Sequence, residues 1–317
     1  MKNNISKFAP KGGLPELPNI NGIKMSAVNA NISKEKKLDL LLVQASKNSV
    51  ISGLFTQSET CSPAVDWGRQ NVKKEQNTKK DIGILVNSGN ANVFTGSEGH
   101  RTVNESIKSV AKNLNTVPEN IFVASTGVIG KVLDSKQITS KIKPLTKNLK
   151  PDGFTGAAEA IMTTDTYPKG VHTEFTVDDT KVKINGIAKG SGMIAPNLAT
   201  MLVFIFSDIA IKKNILQKIV CRCNDASFNC ITVDSDTSTS DTLLVVATGK
   251  AGMSKIRSLK DPRAIKFQKY LAKTMMDLAH LVIKDGEGIT KFIKVVVEGT
   301  ENDSAAFQVA KSIADSP

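Results

Sequence analysis

Four short, almost purely apolar runs constrain this chain most: residues 81–86 (DIGILV), 121–124 (IFVA), 201–206 (MLVFIF) and 242–247 (TLLVVA). A run of that length, free of polar alternation and bounded by turn residues, reads as a buried strand. Residues 174–177 and 181–187 flank Asp-Asp-Thr, which predicts a hairpin. Between the strands, helical stretches are expected over 103–114 and 211–226. Ala264, Phe267, Leu271, Met275, Leu278 and Val282 recur at steps of three and four. That spacing marks one long amphipathic helix, and Asp261-Pro262 suits its start. A final strand over 291–297 and a final helix over 304–314 complete the expectation. The fold class is α/β (α+β), and no tandem βαβ order compels a dinucleotide-binding sheet.

Composition narrows the function by exclusion. The formal charge of +12 invites a nucleic-acid reading, but only five of the 42 cationic residues are Arg. The lysines are scattered rather than gathered in a stripe, and bidentate phosphate or guanine contacts favour Arg. A lysine-rich solvated surface is the simpler account, with a mild attraction for anionic substrates such as dicarboxylic amino acids. No nucleic acid is therefore expected as a partner. No membrane contact is expected either, because the longest apolar run is far too short to span a bilayer. The opening residues have no apolar core segment of the secretory kind, so the cytoplasm is the expected location. The spacing of Cys61, Cys221, Cys223 and Cys230 demands no disulfide framework. Cys221-x-Cys223 reads as thiols buried on a helix rather than as a metal pair, because no histidine lies near it. No metal is expected.

Six polar stretches, rich in Gly, Thr, Ser, Asn and Asp, lie between the expected strands and helices: residues 86–96, 124–130, 161–166, 189–202, 231–242 and 284–292. Loops of this kind bring backbone N–H groups close to a ligand, and six in one chain point to a composite site. The three histidines, His100, His172 and His280, lie in separate contexts, which makes a Ser-His-Asp triad hard to build. Neither a phosphate-cradling GxxxxGK[ST] loop nor a strand-ending GxGxxG is present. A nucleophile must then come from Ser, Thr or Lys, with a base other than His. At Ala199-Thr200 a polar loop meets an apolar strand. Cleavage before Thr200 would put a hydroxyl and a free α-amine on one residue, an activated nucleophile that needs no histidine. The local sequence alone favours the plainer reading, in which Thr200 merely begins a buried strand.

In order along the chain stand VNSGNAN, STGVIG, IMTTDT, KGSGMIAPNLATML, ITVDSDTSTSDT and DGEGITKF. On these the chain resembles, from its first residues to Pro317, the bifunctional glutamate/ornithine N-acetyltransferases of arginine biosynthesis. Ser235 and Ser240 stand where that family more often has Gly and Asn. The resemblance implies an N-terminal-nucleophile-like, layered αββα architecture with a smaller C-terminal domain. It implies a precursor that splits itself at Ala199-Thr200 into an α chain (residues 1–199) and a β chain (residues 200–317). The two fragments are expected to stay associated, as a dimer of such pairs.

Residue by residue, the resemblance makes Thr200 the nucleophile and Thr126 with Gly127 the oxyanion hole. It assigns substrate binding to Thr163, Lys189, Thr200 and Glu287, with Thr164 an alternative to Thr163. Lys189 can pair with a substrate carboxylate and Glu287 can hold an ammonium. The implied reaction carries acetyl from N2-acetylornithine to glutamate without a cofactor. Acetyl-CoA is a further substrate in some members. An N-terminal-threonine aminopeptidase or amidohydrolase would share the same nucleophile and oxyanion hole. The set Asp234, Asp236 and Asp241 reads as turn chemistry in preference to cation binding. In the family a further C-terminal segment follows the point where this sequence ends and contributes an Asn and a Ser or Thr to the site. The C-terminal domain is accordingly expected to be incomplete here.

Overall fold

The computed structural model describes residues 5–194 and 201–316, so Ala199 and Thr200 lie outside the described residues. In the described part, nine strands form two sheets. The first sheet runs β1-β2-β4-β5, from β1 (Ile23–Val28), β2 (Leu40–Ala45), β4 (Ile82–Asn87) and β5 (Ile121–Ser125). The second runs β3-β9-β8-β7-β6, from β3 (Val50–Phe55), β6 (Lys169–Val177), β7 (Thr180–Lys189), β8 (Leu202–Ser207) and β9 (Thr242–Ala247). Two pairs, β4/β5 and β8/β9, are parallel; the other ladders are antiparallel.

The period of two along each strand explains the layering. In β8, Leu202, Phe204 and Phe206 enter a core shared with Ile82, Ile84 and Val86 of β4. Val203 and Ile205 face the other way, against Ile215, Leu216 and Ile219 of α5 (Lys213–Asp225) and Phe267, Leu271 and Met275 of α6 (Pro262–Ile283). On the far side, Leu40, Leu42, Leu85 and Val123 of the first sheet pack on Ile107 and Val110 of α2 (Gly96–Leu114) and on Ile138 and Ile142 of α3 (Ser135–Lys147). The order of layers is therefore helices, sheet, sheet, helices. A run of six apolar residues is stable in such a strand because both of its faces are covered. Two further helices border the sandwich: α1 (Pro63–Val72), and α4 (Phe154–Ala160), whose Phe154, Ala157 and Ala158 join the core between the sheets.

Most expected elements form. Asp261 caps α6 through its side chain, with Pro262 in the first turn. The β6/β7 turn places Asp178 and Asp179 at φ of 46° and 61°, the left-handed pair that a two-residue hairpin needs. Cys221 and Cys223 ride on α5, the first half-buried and the second buried. The expected final strand does not form. Residues 291–298 have no regular structure, and Ile293 and Val296 are exposed. A strand needs a neighbour for its ladder, and among the described residues none lies beside this segment. α7 (Asp303–Ala314) follows, capped by Asn302.

Phe204→Ala would open a cavity between the sheets. It is expected to lower unfolding free energy by about 3–5 kcal/mol, measured by urea unfolding. A loss below about 1 kcal/mol would contradict this packing.

Candidate active site

The two sheets bring their loops to one end of the sandwich. β7 ends at Lys189, opposite Leu202 at the start of β8, which in turn lies beside Thr242 at the start of β9. In the first sheet β4 and β5 end in register at Asn87 and Ser125. Lys189 Nζ donates to Thr126 Oγ1 at 3.2 Å, joining the two edges. Lys189 and Thr126 are each 2% exposed, so this is a contact inside the protein.

The loops after β4 and β5 are built as one unit. Thr126 N donates to Asn87 O at 3.1 Å, and Ala91 N to Val128 O at 3.0 Å. Ser125 Oγ donates to Asn87 Oδ1 at 2.7 Å. Gly127 adopts φ +128°, and a Cβ there would lie 2.3 Å from the Gly89 carbonyl carbon. Only glycine permits this approach. The Gly127 N–H finds no acceptor among the described residues. As an ammonium, Lys189 has only hydrogens to offer. Thr126 Oγ1 is then the acceptor, and its own O–H is left for another partner. Burial lowers the Lys189 pKa, and the like charge of Lys169 adds to this. Asp165, Asp241 and Glu287 oppose both and favour the ammonium.

The other expected residues gather around the 189–194 loop. Glu287 N donates to Ser191 O at 2.7 Å. A Cβ on Gly192 would stand 2.8 Å from the Glu287 carboxyl carbon. Glu287 itself is exposed, at the rim. Thr163 and Thr164 separate clearly. Thr164 Oγ1 shares a hydrogen bond with Ser191 Oγ at 2.6 Å. Thr163 lines a cleft of about 690 Å³ with Lys37, Glu159 and Met162. Thr126, Gly127, Lys189 and Glu287 do not line that cleft.

Sequence reasoning passed over several buried charges here. Asp165 Oδ1 accepts from Lys169 Nζ at 2.6 Å and from Gly190 N at 2.7 Å. Burial works to raise the Asp165 carboxyl, but the ammoniums of Lys169 and Lys189 and these hydrogen bonds hold it well below the usual carboxylate range. The 231–242 loop holds the described residues Met193, Ile194 and Met201. Asp234 accepts from the backbone of Met193 and, at 2.7 Å, of Ile194. Asp241 Oδ1 accepts from Met201 N at 2.7 Å. Asp234 and Asp241 thus spend carboxylate oxygens on backbone N–H groups. Ser235 sits at φ +63°, a left-handed position that suits the glycine more often found there. Asp241 is wholly buried, and its Oδ2 has no partner among the described residues. Burial raises its pKa well above the ordinary value.

The sequence profile of the ArgJ family matches residues 24–317. The chain is 41% identical over 304 residues to the arginine biosynthesis bifunctional protein ArgJ of Caulobacter vibrioides, covering 96% of this chain and 75% of that one. The chain belongs to the ArgJ family. Identity to the protein of that name from Mesorhizobium japonicum is 43%, over 100% of this chain and 76% of the relative. Among solved structures, ornithine acetyltransferase from Mycobacterium tuberculosis, complexed with ornithine, matches at 26% identity. Its TM-score is 0.48, over 60% of this chain and 98% of that one.

Asp241 has a raised folded pKa, so its contribution to stability is present below about pH 4 and is lost as pH rises toward the folded value. Asn has no proton to lose. The stability of Asp241→Asn relative to wild type should therefore grow with pH, by about 1.4 kcal/mol per unit at the steepest. Urea unfolding at several pH values measures it, and a difference independent of pH would show that Asp241 is not held neutral.

Proposed function

We propose that the chain is a glutamate N-acetyltransferase of arginine biosynthesis, which moves acetyl from N2-acetylornithine to glutamate through an ester on Thr200. The observation that carries this reading is the pair of donors at Thr126 and Gly127, uncommitted among the described residues, beside a buried lysine, in a member of the ArgJ family. Acyl transfer needs donors preorganised where negative charge develops. Here a hydroxyl whose oxygen already accepts from Lys189 and a backbone N–H serve that purpose.

Maturation comes first. Thr200 Oγ attacks the Ala199 carbonyl, the Ala199–Thr200 C–N bond breaks, and water hydrolyses the resulting ester. This frees an α-amine, whose ordinary pKa of about 7.7–8.0 leaves a useful neutral fraction. The amine takes the Thr200 hydroxyl proton as Oγ attacks the acetamide. Collapse of the oxyanion breaks the C–N bond, and ornithine leaves with that proton. The glutamate amine then attacks acetyl-Thr200, giving N-acetylglutamate and regenerating the hydroxyl. Lys189 pairs with a substrate carboxylate, Glu287 holds an ammonium, and Thr163 contributes from the adjoining cleft. No step calls for a metal or organic cofactor; acetyl-CoA is a second acetyl donor to the same threonine.

The sheet topology supports continued association of fragments 1–199 and 200–317. β8 and β9 come from the second fragment yet lie between β3 and β7 of the first, joined to them by full antiparallel ladders. Cutting one peptide bond leaves those ladders and the core between the sheets in place. A dimer of such pairs in the cytoplasm completes the proposal. Among the described residues no helix is long and apolar enough to cross a membrane.

Intact mass spectrometry of purified protein should give two masses, the second for a chain beginning Thr-Met-Leu, eluting together in gel filtration without denaturant. Thr200→Ala should remain uncut; a wild type that stays uncut while transferring acetyl would overturn the mechanism. Thr126→Ala should lower kcat by about 10²-fold or more with a smaller change in KM. Release of free acetate in place of N-acetylglutamate would instead make the protein an amidohydrolase.

A further inference from the structure

At the start of β6, Lys169 is buried with both of its ion-pair partners. Its Nζ lies 2.6 Å from Asp165 Oδ1 and 2.6 Å from Asp285 Oδ2, and all three side chains are wholly inaccessible. The Tyr167 ring centroid lies 4.8 Å from the same ammonium. Asp165 also receives Thr163 N at 2.9 Å and Gly190 N at 2.7 Å. Asp285 receives Thr166 N at 2.9 Å and the Thr166 hydroxyl. One ammonium therefore ties together three segments: 163–166, 189–191 and 285–287. Each segment carries one residue of the substrate site, namely Thr163, Lys189 and Glu287.

Burying three charges is expensive, and an apolar trio of similar volume is often at least as stable. Stability alone gives little reason to keep them. The charge balance is informative as well. Two carboxylates against Lys169 leave one negative charge over, and the second cation nearby is Lys189, which acts on Asp165. Through Gly190 N the cluster holds the backbone next to Lys189, and Asp165 favours the charged form of that lysine while Lys169 opposes it. Through Asp285 it also holds the backbone two residues before Glu287.

We propose that Lys169, Asp165 and Asp285 form a positioning unit that sets Glu287 against Lys189 and so selects the length of the amino-acid substrate. The inference rests on the acetyltransfer reading above. A rigid spacing between a cation and an anion matches a zwitterionic chain of one length, and a shift of about 1 Å is enough to impair positioning.

The test uses the full chain. Wild type is assayed first with N2-acetylornithine and with N2-acetyllysine, which is one methylene longer, glutamate being the acceptor. An inactive wild type removes the acetyltransfer reading and this inference with it. With an active wild type, Asp285→Asn keeps the shape but weakens the bridge. It should raise KM for N2-acetylornithine on the order of tenfold, change kcat much less, and narrow the preference over N2-acetyllysine. The charge-balanced double variant Lys169→Met/Asp285→Asn should recover thermal stability relative to Lys169→Met, yet keep the raised KM and the narrowed preference. Unchanged KM and preference in Asp285→Asn would overturn the proposal. So would a double variant that regains wild-type KM together with its stability, since the cluster would then be structural only. If the Lys169 variants do not fold, Asp285→Asn alone decides.

Discussion

The apolar layer between the two sheets is the constraint on which everything else depends. Phe204 and Phe206 from one sheet meet Ile84, Val86 and Phe122 from the other, and each of these side chains is almost wholly buried. Burial of that kind is non-directional and strong, at about 25 cal/mol per Å² of apolar surface. It sets two sheets face to face without specifying any chemistry. What it does specify is that strand ends from both sheets arrive at the same end of the sandwich. The loops after β4, β5 and β7 are thereby pressed together, and Lys189 reaches Thr126 across the gap.

Once those loops meet, polar satisfaction takes over. A buried N–H or carbonyl left unpaired costs about 1–3 kcal/mol, so the loops bond to one another and to carboxylates from neighbouring segments. Asp165, Asp234, Asp241 and Asp285 each accept from backbone N–H groups of another part of the chain or of their own loop. The result is a site whose supports are mostly aspartates and whose working groups are a hydroxyl, a backbone N–H, a lysine and a rim glutamate. Among the described residues two donors, the Thr126 O–H and the Gly127 N–H, stay uncommitted.

Much of this was legible in the residues. The strands at 81–86, 121–124, 201–206 and 242–247 were readable because unbroken apolar runs leave few alternatives. α6 was readable because its period and its Asp-Pro start agree. β1, β2 and β3 do not declare themselves in the sequence, although LLLVQA has the same apolar character as the four runs. α4, FTGAAEA, carries too short and too glycine-rich a pattern to declare itself. The strand expected at 291–297 failed for the converse reason: β-branched residues favour a strand only where a partner offers a ladder.

For the site, the local sequence indicated that a histidine triad is hard to build and that Thr126-Gly127, Lys189 and Glu287 lie in or beside loops able to approach a ligand. The need for glycine at 127 is set by the folded loops, since no other residue tolerates both that φ and that contact with Gly89. Only the tertiary structure decided that Lys189 touches Thr126, that Thr164 is committed to Ser191 while Thr163 lines the cleft, and that Lys169 joins Asp165 to Asp285. Lys169 and Asp285 are 116 residues apart, and no periodicity links them. A lysine in a linear sequence reads as surface because an unpaired charge cannot be buried. Its burial becomes affordable only when folding brings two carboxylates to it, which is information that resides in the packing of the sheets.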